Sequence, residues 1–154
     1  MKDPVVYDKA KWHYSGDYPK DLPDDQAFVH TGMYLGWIIE RNLYSEDFER
    51  ETGPLITQFK SRQVTGSKIY EWWDGCLIED MLNDVGNSFS QSYFDFKRGQ
   101  FLADYEELLA GDLPSLYYVP DTWENYEKLR ARIDERYDRW KQQGSKKRWR
   151  FWRR

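Results

Sequence analysis

Apolar residues recur at helical spacing along most of the chain. The strongest case runs from Ala27 to Asn42, where apolar side chains cover almost the whole circumference of a helix of about 15 residues. A helix that is apolar on every side lies in the interior, so this one is predicted to be central. Shorter helices are predicted after Ser45, which suits an N-cap, after Pro54, which suits a first helical position, and over residues 67–74, 84–96 and 100–110.

The last predicted helix has the clearest signals. Asp121 stands where an N-cap is expected, and Glu124 completes a capping box three residues later. The apolar residues that follow keep a 3–4 spacing: Trp123, Tyr126, Ile133, Tyr137 and Trp140. The pattern therefore predicts an amphipathic helix that packs on the body through this stripe.

Little of the remaining chain shows a regular pattern. Prolines and a glycine interrupt the segment from Tyr7 to Asp25, which predicts an irregular N-terminal arm. Only Leu116 to Val119 has the composition of a strand. The predicted fold is mainly α, a compact single-domain helical bundle with at most a minor short strand. That domain is expected to span residues 1–144 and to be followed by a basic, aromatic C-terminal tail, residues 145–154.

Composition adds limits to this picture. A chain of 154 residues is long enough for one core, and its 28 aromatic residues indicate that this core is rich in rings. A lone Cys76 cannot close an internal disulfide, no apolar run has the roughly 18 residues of a membrane span, and the N-terminus lacks the apolar stretch of a signal peptide. We therefore expect a soluble, cytoplasmic protein without a transmembrane segment.

The net charge of −4 conceals two oppositely charged regions. Six basic residues and no acidic one lie in residues 145–154, so residues 1–144 hold 17 basic against 27 acidic residues, a formal charge of about −10. An acidic body disfavours nucleic acid as the main ligand and favours a basic protein partner. The tail allows three interpretations: docking on the body or extension of the last helix, a flexible solubilising segment, or a contact for an external partner.

Candidate chemistry centres on His13 and His30, the two histidines of the chain. With the acidic residues Asp17, Asp21, Asp24 and Asp25 they offer the groups of a metal site or of an acid–base pair. Their spacing lacks the close sequence pairs of a zinc site. Structural histidines, no metal ligand and no cofactor are therefore predicted. The alternative is a ligand pocket formed by Trp12, His13, Asp17, His30 and Trp37.

No catalytic signature accompanies these residues. The chain has no GxSxG, no GxxxxGK[ST] and no GxGxxG motif, which removes the usual support for a hydrolase, a nucleotide-binding protein or a dinucleotide-binding protein. Cys76 has no adjacent histidine to activate its thiol. We therefore predict that the protein is not an enzyme and has no catalytic residues.

Three stretches resemble an uncharacterised bacterial domain family. They are Lys11-Trp12-His13-Tyr14 with Gly16-Asp17-Tyr18-Pro19 and Asp21-Leu22-Pro23, then His30-Thr31-Gly32-Met33-Tyr34-Leu35-Gly36-Trp37, and finally Ser115-Leu116-Tyr117-Tyr118-Val119 with Asp121-Thr122-Trp123-Glu124-Asn125-Tyr126. The resemblance extends to about Trp140 and leaves out the basic tail. Small proteins of this kind look like the immunity proteins encoded beside polymorphic toxins, so the resemblance implies a toxin inhibitor.

Together these features predict a non-enzymatic bacterial immunity protein that binds and occludes a cognate, basic toxin. One candidate contact cluster is Asp104, Glu106, Glu107 and Asp112, whose side chains are expected to be solvated. The alternative function is a small ligand-binding module or enzyme that uses a pocket around His13, Asp17 and His30. The sequence names neither a toxin nor an oligomeric state.

Overall fold

The computed structural model describes the backbone of residues 3–152 and the side chains of residues 3–145. Its main elements, in chain order, are β1 (Val6–Lys9), α1 (Ala10–Tyr14), α2 (Val29–Glu40), α3 (Glu46–Thr52), α4 (Pro54–Lys60), α5 (Gly66–Trp72), β2 (Cys76–Ile78), α6 (Asp84–Tyr93), α7 (Phe101–Tyr105) and α8 (Trp123–Trp152). Short 3₁₀ turns and one π-helical segment, Glu106–Ala110, lie between them. The prediction of a mainly α domain is confirmed.

Helix α2 is the centre of the fold, as its all-round apolar pattern predicts. Every residue from Val29 to Ile39 is buried. Its neighbour α5 crosses it at very short range, because Gly32 and Gly66 face each other across the contact. A Cβ atom added to Gly66 would overlap the carbonyl oxygen of Gly32 and lie 3.1 Å from the Cα of Gly36. The absence of side chains at these positions therefore sets how closely the two helices pack.

The N-terminal arm contains a strand that the hydrophobic pattern does not predict. Strand β1 pairs antiparallel with β2, with Asp8 opposite Leu77 and an irregularity between Val6 and Asp8. The amide of Ala10 then donates to the carbonyl oxygen of Gly75 at 2.8 Å, which fixes the start of α1 against the turn between α5 and β2. The start of the arm, β1 and the first residue of α1, is thereby attached to the rest of the domain.

Two local predictions are confirmed and two are wrong. The Ser45 side chain accepts a hydrogen bond from the Phe48 amide, and Pro54 occupies the first turn of α4, as expected. Leu116–Tyr118 forms a 3₁₀ turn instead of a strand. Helix α8 is capped by Thr122, whose hydroxyl oxygen accepts from the Asn125 amide at 3.1 Å. Asp121 does not cap it, since its carboxylate accepts hydrogen bonds from two hydroxyls of the α5 region instead.

Helix α8 lies across α2 and α7 and closes the core. Tyr126, Leu129, Ile133 and Tyr137 are buried along one of its faces, in agreement with most of the predicted stripe. The helical backbone continues to Trp152, which agrees with the helix-extension interpretation of the tail. The side chains of the tail from position 146, and residues 153–154, lie outside the described residues. No helix in the described part of the chain is both long and apolar enough to cross a membrane.

Candidate functional site

A buried carboxylate, that of Asp8, forms the centre of a polar cluster in the interior. Asp8 is the fully buried residue of β1, with no exposed surface. Its Oδ1 lies 2.8 Å from His13 Nε2, and its Oδ2 accepts a hydrogen bond of 2.6 Å from the Thr31 hydroxyl. The Tyr70 hydroxyl and His30 Nε2 approach the same oxygen at 3.4 Å and 3.6 Å. One negative charge thus organises four polar side chains.

Three elements bring these groups together. Pairing of β1 with β2 directs Asp8 inward, and α1 begins directly after the strand, so that His13 follows Asp8 at close range. The first turn of α2 supplies His30 and Thr31. Gly75 permits the tight approach of the arm, because its φ is +64° and a Cβ there would lie 2.7 Å from the Cβ of Ala10.

His13 connects the carboxylate to a tyrosine. Its Nδ1 lies 2.6 Å from the Tyr117 hydroxyl, and the imidazole rings of His13 and His30 meet edge to face with centroids 4.7 Å apart. Tyr117 is itself held in place, because the Gln26 side-chain amide donates to its carbonyl oxygen at 2.8 Å. The result is a chain of hydrogen bonds that runs from Asp8 through His13 to Tyr117.

His30 has no such partners. It is 1% exposed, and neither of its ring nitrogens has a hydrogen-bond partner within the described residues. Tyr105, whose ring centroid lies 6.1 Å from that of His30, has a buried hydroxyl that likewise finds no hydrogen-bond partner in the described part of the chain. Burial lowers the pKa of His30 to about 4, although the charge of Asp8 opposes this shift. His30 is therefore a neutral imidazole at neutral pH.

The charge on Asp8 is stabilised by the same cluster. Burial by itself would raise the pKa of the Asp8 carboxyl. The hydrogen bond from His13, the positive charge that His30 carries in acid and the hydrogen bond from Thr31 outweigh this effect and hold the pKa below its ordinary range. Asp8 is therefore an anion in the interior at neutral pH.

The cluster also has the composition of a metal site. Asp8, His13 and His30 each offer one ligand atom, and these three atoms lie within 4.8 Å of one another. Two imidazoles and one carboxylate are ligands that zinc and non-haem iron accept. In the described part of the chain, these are the residues that could hold a metal.

The structure unites some of the residues proposed for a ligand pocket and separates others. His13 and His30 are adjacent, as the pocket hypothesis requires. Asp17 is exposed, and Trp12 is 48% exposed. Trp37 lies two turns beyond His30, where its indole N–H donates to Asp134 on α8 at 2.9 Å. His30 is therefore an interior group and His13 is partly buried, while the indole of Trp37 faces α8 instead of them.

Sequence reasoning missed Asp8, Thr31 and Tyr117. Asp8 lies in the strand that was not predicted, so nothing marked it as a buried residue. The available signal is the run Val5-Val6-Tyr7 directly before it, which is rich in β-forming residues.

The proposed acidic contact cluster requires a correction at Asp104. The expectation that all four side chains are solvated is wrong for this residue, which is 2% exposed. Its carboxylate is bound by Arg132 and Arg136 of α8 and by the Tyr93 hydroxyl. Glu106, Glu107 and Asp112 are exposed as expected, and Glu107 also pairs with Arg132 at 2.8 Å.

The low pKa of His30 predicts a loss of stability in mild acid. Between the ordinary histidine pKa of 6.5 and about 4, the unfolded chain binds a proton at His30 that the folded protein does not bind. The free energy of unfolding should therefore fall by about 3 kcal/mol as the pH drops through this range. Urea denaturation at several pH values, with EDTA in each buffer, measures the slope.

The matched control for this experiment is His30→Gln, which cannot titrate. The variant should lose most of the slope between pH 6.5 and 4.5, whatever its stability at neutral pH. An unchanged slope in the variant would assign the acid sensitivity to other groups.

The comparisons with known proteins identify a family and no function. A search of curated proteins gives no match, and neither does a search of solved structures. A family model described as a domain of unknown function, DUF7832, matches residues 6–119. This range includes Asp8, His13, His30 and Tyr117 and ends before α8, so the stretch from Asp121 to Tyr126 lies outside it. The chain belongs to the DUF7832 family.

Proposed function

We propose that the protein is a non-enzymatic binding protein that recognises a basic protein partner and acts as an immunity-type inhibitor of a cognate toxin. It would bind the toxin in the cytoplasm of a producing bacterium and block it by occlusion. The observation that carries the proposal is an acidic surface with exposed aromatic rings, formed by the N-terminal arm and α5.

This acidic face consists of Tyr14, Tyr18, Asp24, Asp25 and Glu71. The Tyr14 hydroxyl donates to the carbonyl oxygen of Asp24 at 2.6 Å, and the two tyrosine rings meet edge to face at 5.2 Å. Partial burial raises the pKa of Tyr14, and the negative charges of Asp24, Asp25 and Glu71 raise it further because they lie near its hydroxyl. Lys68 is a basic residue beside this face, where it pairs with Glu71 at 3.6 Å.

The exposed rings suit an interface. Tyr14 is 39% exposed, and Trp72, the residue after Glu71, is 52% exposed. Tyrosine and tryptophan are enriched among the residues that contribute most to binding, because each buries a large area with few rotatable bonds. Surrounding carboxylates would raise the association rate with a basic partner above the roughly 10⁵–10⁶ M⁻¹s⁻¹ of uncharged pairs. Such a face would therefore give a high association rate constant with a basic partner and a low dissociation rate constant.

The cluster at Glu106, Glu107 and Asp112 is less suitable for this role. Arg132 pairs with Glu107 at 2.8 Å and neutralises part of the charge of this cluster. The acidic face on the arm is therefore the better candidate, and the two surfaces can be compared directly.

The alternative of a ligand pocket around His13, Asp17 and His30 receives less support. A pocket for a substrate needs access from solvent, whereas His30 is 1% exposed and Asp17 is an exposed residue. The two histidines are better explained by the interior chemistry of Asp8.

A pair of charge-reversed triple variants tests the proposal. One carries Asp24→Lys, Asp25→Lys and Glu71→Lys; the other carries Glu106→Lys, Glu107→Lys and Asp112→Lys. Both change the formal charge equally, yet the first should slow association with the toxin at least about tenfold more than the second, since it removes charge at the contact itself. Stopped-flow binding to the product of the neighbouring gene, at low and high salt, measures this difference.

Protection of a sensitive host by co-expression gives the functional readout. Circular dichroism should show that both variants remain folded, because the altered side chains are exposed. If the wild-type protein neither protects the host nor forms a complex with the neighbouring gene product, the immunity function is wrong. If the second variant loses more affinity than the first, the contact surface has been placed on the wrong side of the molecule.

A further inference from the structure

We propose that Asp8, His13 and His30 bind one divalent transition-metal ion, best matched by zinc, which fastens the N-terminal arm to α2. The proposal is independent of any protein partner. It rests on the positions of three ligand atoms and on the lack of hydrogen-bond partners around His30.

The distances between the ligand atoms fit a small divalent ion. Zinc binds imidazole nitrogen and carboxylate oxygen at about 2.0–2.2 Å, so two ligand atoms of a tetrahedral ion lie about 3.3–3.6 Å apart. His30 Nε2 and Asp8 Oδ2 are separated by 3.6 Å. His13 Nε2 lies 3.1 Å from the same oxygen, so this pair needs to part by about 0.2–0.5 Å. Small side-chain rotations therefore convert the cluster into a coordination site.

The unsatisfied nitrogens of His30 supply the second argument. A neutral imidazole has one N–H donor and one acceptor, and leaving such a group buried without a partner is unfavourable. A bound ion would satisfy Nε2, the ring nitrogen that faces the Asp8 carboxylate. Because Nε2 of His30 has no hydrogen-bond partner among the described residues and faces the Asp8 carboxylate, its lone pair is available to a bound cation.

Tyr117 allows His13 to change its role. In the tautomer with the proton on Nε2, His13 donates to Asp8 and accepts from the Tyr117 hydroxyl through Nδ1. In the other tautomer Nδ1 donates to the Tyr117 oxygen, and the lone pair of Nε2 is available to an ion. Thr31 continues to hold Asp8 Oδ2 through its hydroxyl. Ligands are commonly oriented in this way by groups that do not touch the metal.

The burial of the site indicates a structural role for the ion. Asp8 has no exposed surface and His30 has 1%, while His13, with 14% of its side chain exposed, gives the ion its route from solvent. The ligands come from β1, α1 and α2, so coordination links the arm directly to the central helix. At a hundredfold excess of ion over its Kd, the midpoint of thermal unfolding should rise by about 5–10 °C.

Zinc binding by the untagged 154-residue chain tests the proposal. Equilibrium dialysis followed by elemental analysis should find one zinc per wild-type chain, and Co²⁺ should give the visible absorption of an ion held by nitrogen and oxygen ligands. Asp8→Asn and His13→Gln should each weaken binding at least about 100-fold. Asp17→Asn is the matched control: it removes an exposed carboxylate from the same arm and should leave binding unchanged.

Tyr117→Phe separates coordination from general effects on folding. It removes the partner of His13 Nδ1 while leaving the three ligands, so the affinity should fall by about 10–100-fold with the stoichiometry still one. If the wild-type chain binds no zinc at micromolar free ion and its unfolding midpoint does not move, the proposal is wrong. It is also wrong if Asp8→Asn binds as the wild type does. Should the ligand variants fail to fold, the wild-type stoichiometry, cobalt spectrum and thermal shift still decide.

Discussion

Gly66→Ala should destabilise the protein by about 4 kcal/mol or more, enough to remove much of the stability of an ordinary domain. The added methyl group would overlap the Gly32 carbonyl oxygen and would lie 3.0 Å from the Gly32 carbonyl carbon. These atoms belong to the backbone of the buried central helix, so no side chain can rotate to make room. Helices α2 and α5 would have to separate along their whole contact. Chemical denaturation measures the loss.

Gly144→Ala is the matched control for that experiment. Gly144 lies in α8, and a Cβ added there meets no atom within 4 Å. Alanine in an unobstructed helical position stabilises by roughly 0.5–1 kcal/mol relative to glycine, so this variant should be slightly more stable than the wild type. A Gly66→Ala protein with normal stability would show that α2 and α5 are farther apart than described.

Asp104→Ala should cost about 3–4 kcal/mol. The carboxylate accepts two hydrogen bonds from Arg136, at 2.8 Å and 2.9 Å, and one each from Arg132 and Tyr93. Its removal leaves two guanidinium groups without their buried counter-ion and the Tyr93 hydroxyl without its acceptor. The effect stays in the lower part of the range for broken buried ion pairs, since both arginine side chains keep more than a fifth of their surface exposed.

Glu106→Ala, two positions further along, is the control, and its exposed side chain predicts a change within about 0.5 kcal/mol. A pH series adds a second check. Burial opposes ionisation of Asp104, but the hydrogen bonds from Arg136, Tyr93 and Arg132 outweigh it and lower the pKa. The stability that Asp104 contributes is therefore present above the unfolded pKa of about 3.9 and is lost as the pH falls through the folded value. Equal losses in the two alanine variants would contradict the burial of Asp104.

Where one strong local signal decides the structure, the sequence predicts it well. Apolar residues on all sides of α2 leave only the interior as its location, and the spacing from Tyr126 to Tyr137 allows only one face of α8 to pack. Ser45 and Pro54 have local roles at the start of a helix, so neighbouring residues suffice to predict them. These predictions need no knowledge of distant contacts.

The remaining features depend on contacts between distant parts of the chain. Asp121 looks like an N-cap, but hydroxyls of Thr65 and Ser67 compete for its carboxylate. Asp104 looks like a surface acid because the arginines that neutralise it lie 28 and 32 positions later. The candidate site is hidden for the same reason, since Asp8 becomes an interior residue only through the pairing of β1 with β2.

The hydrogen bond between His13 and Tyr117 spans 104 positions of the chain, which has a consequence during biosynthesis. At roughly 5–20 residues per second, a ribosome completes Tyr117 about 5–20 s after His13. The hydrogen bond between His13 and Tyr117 cannot form before this interval has passed, whereas Thr31 and Tyr70, the other partners of Asp8, are made earlier. The polar cluster that begins near the N-terminus is therefore complete only after most of the chain has been synthesised.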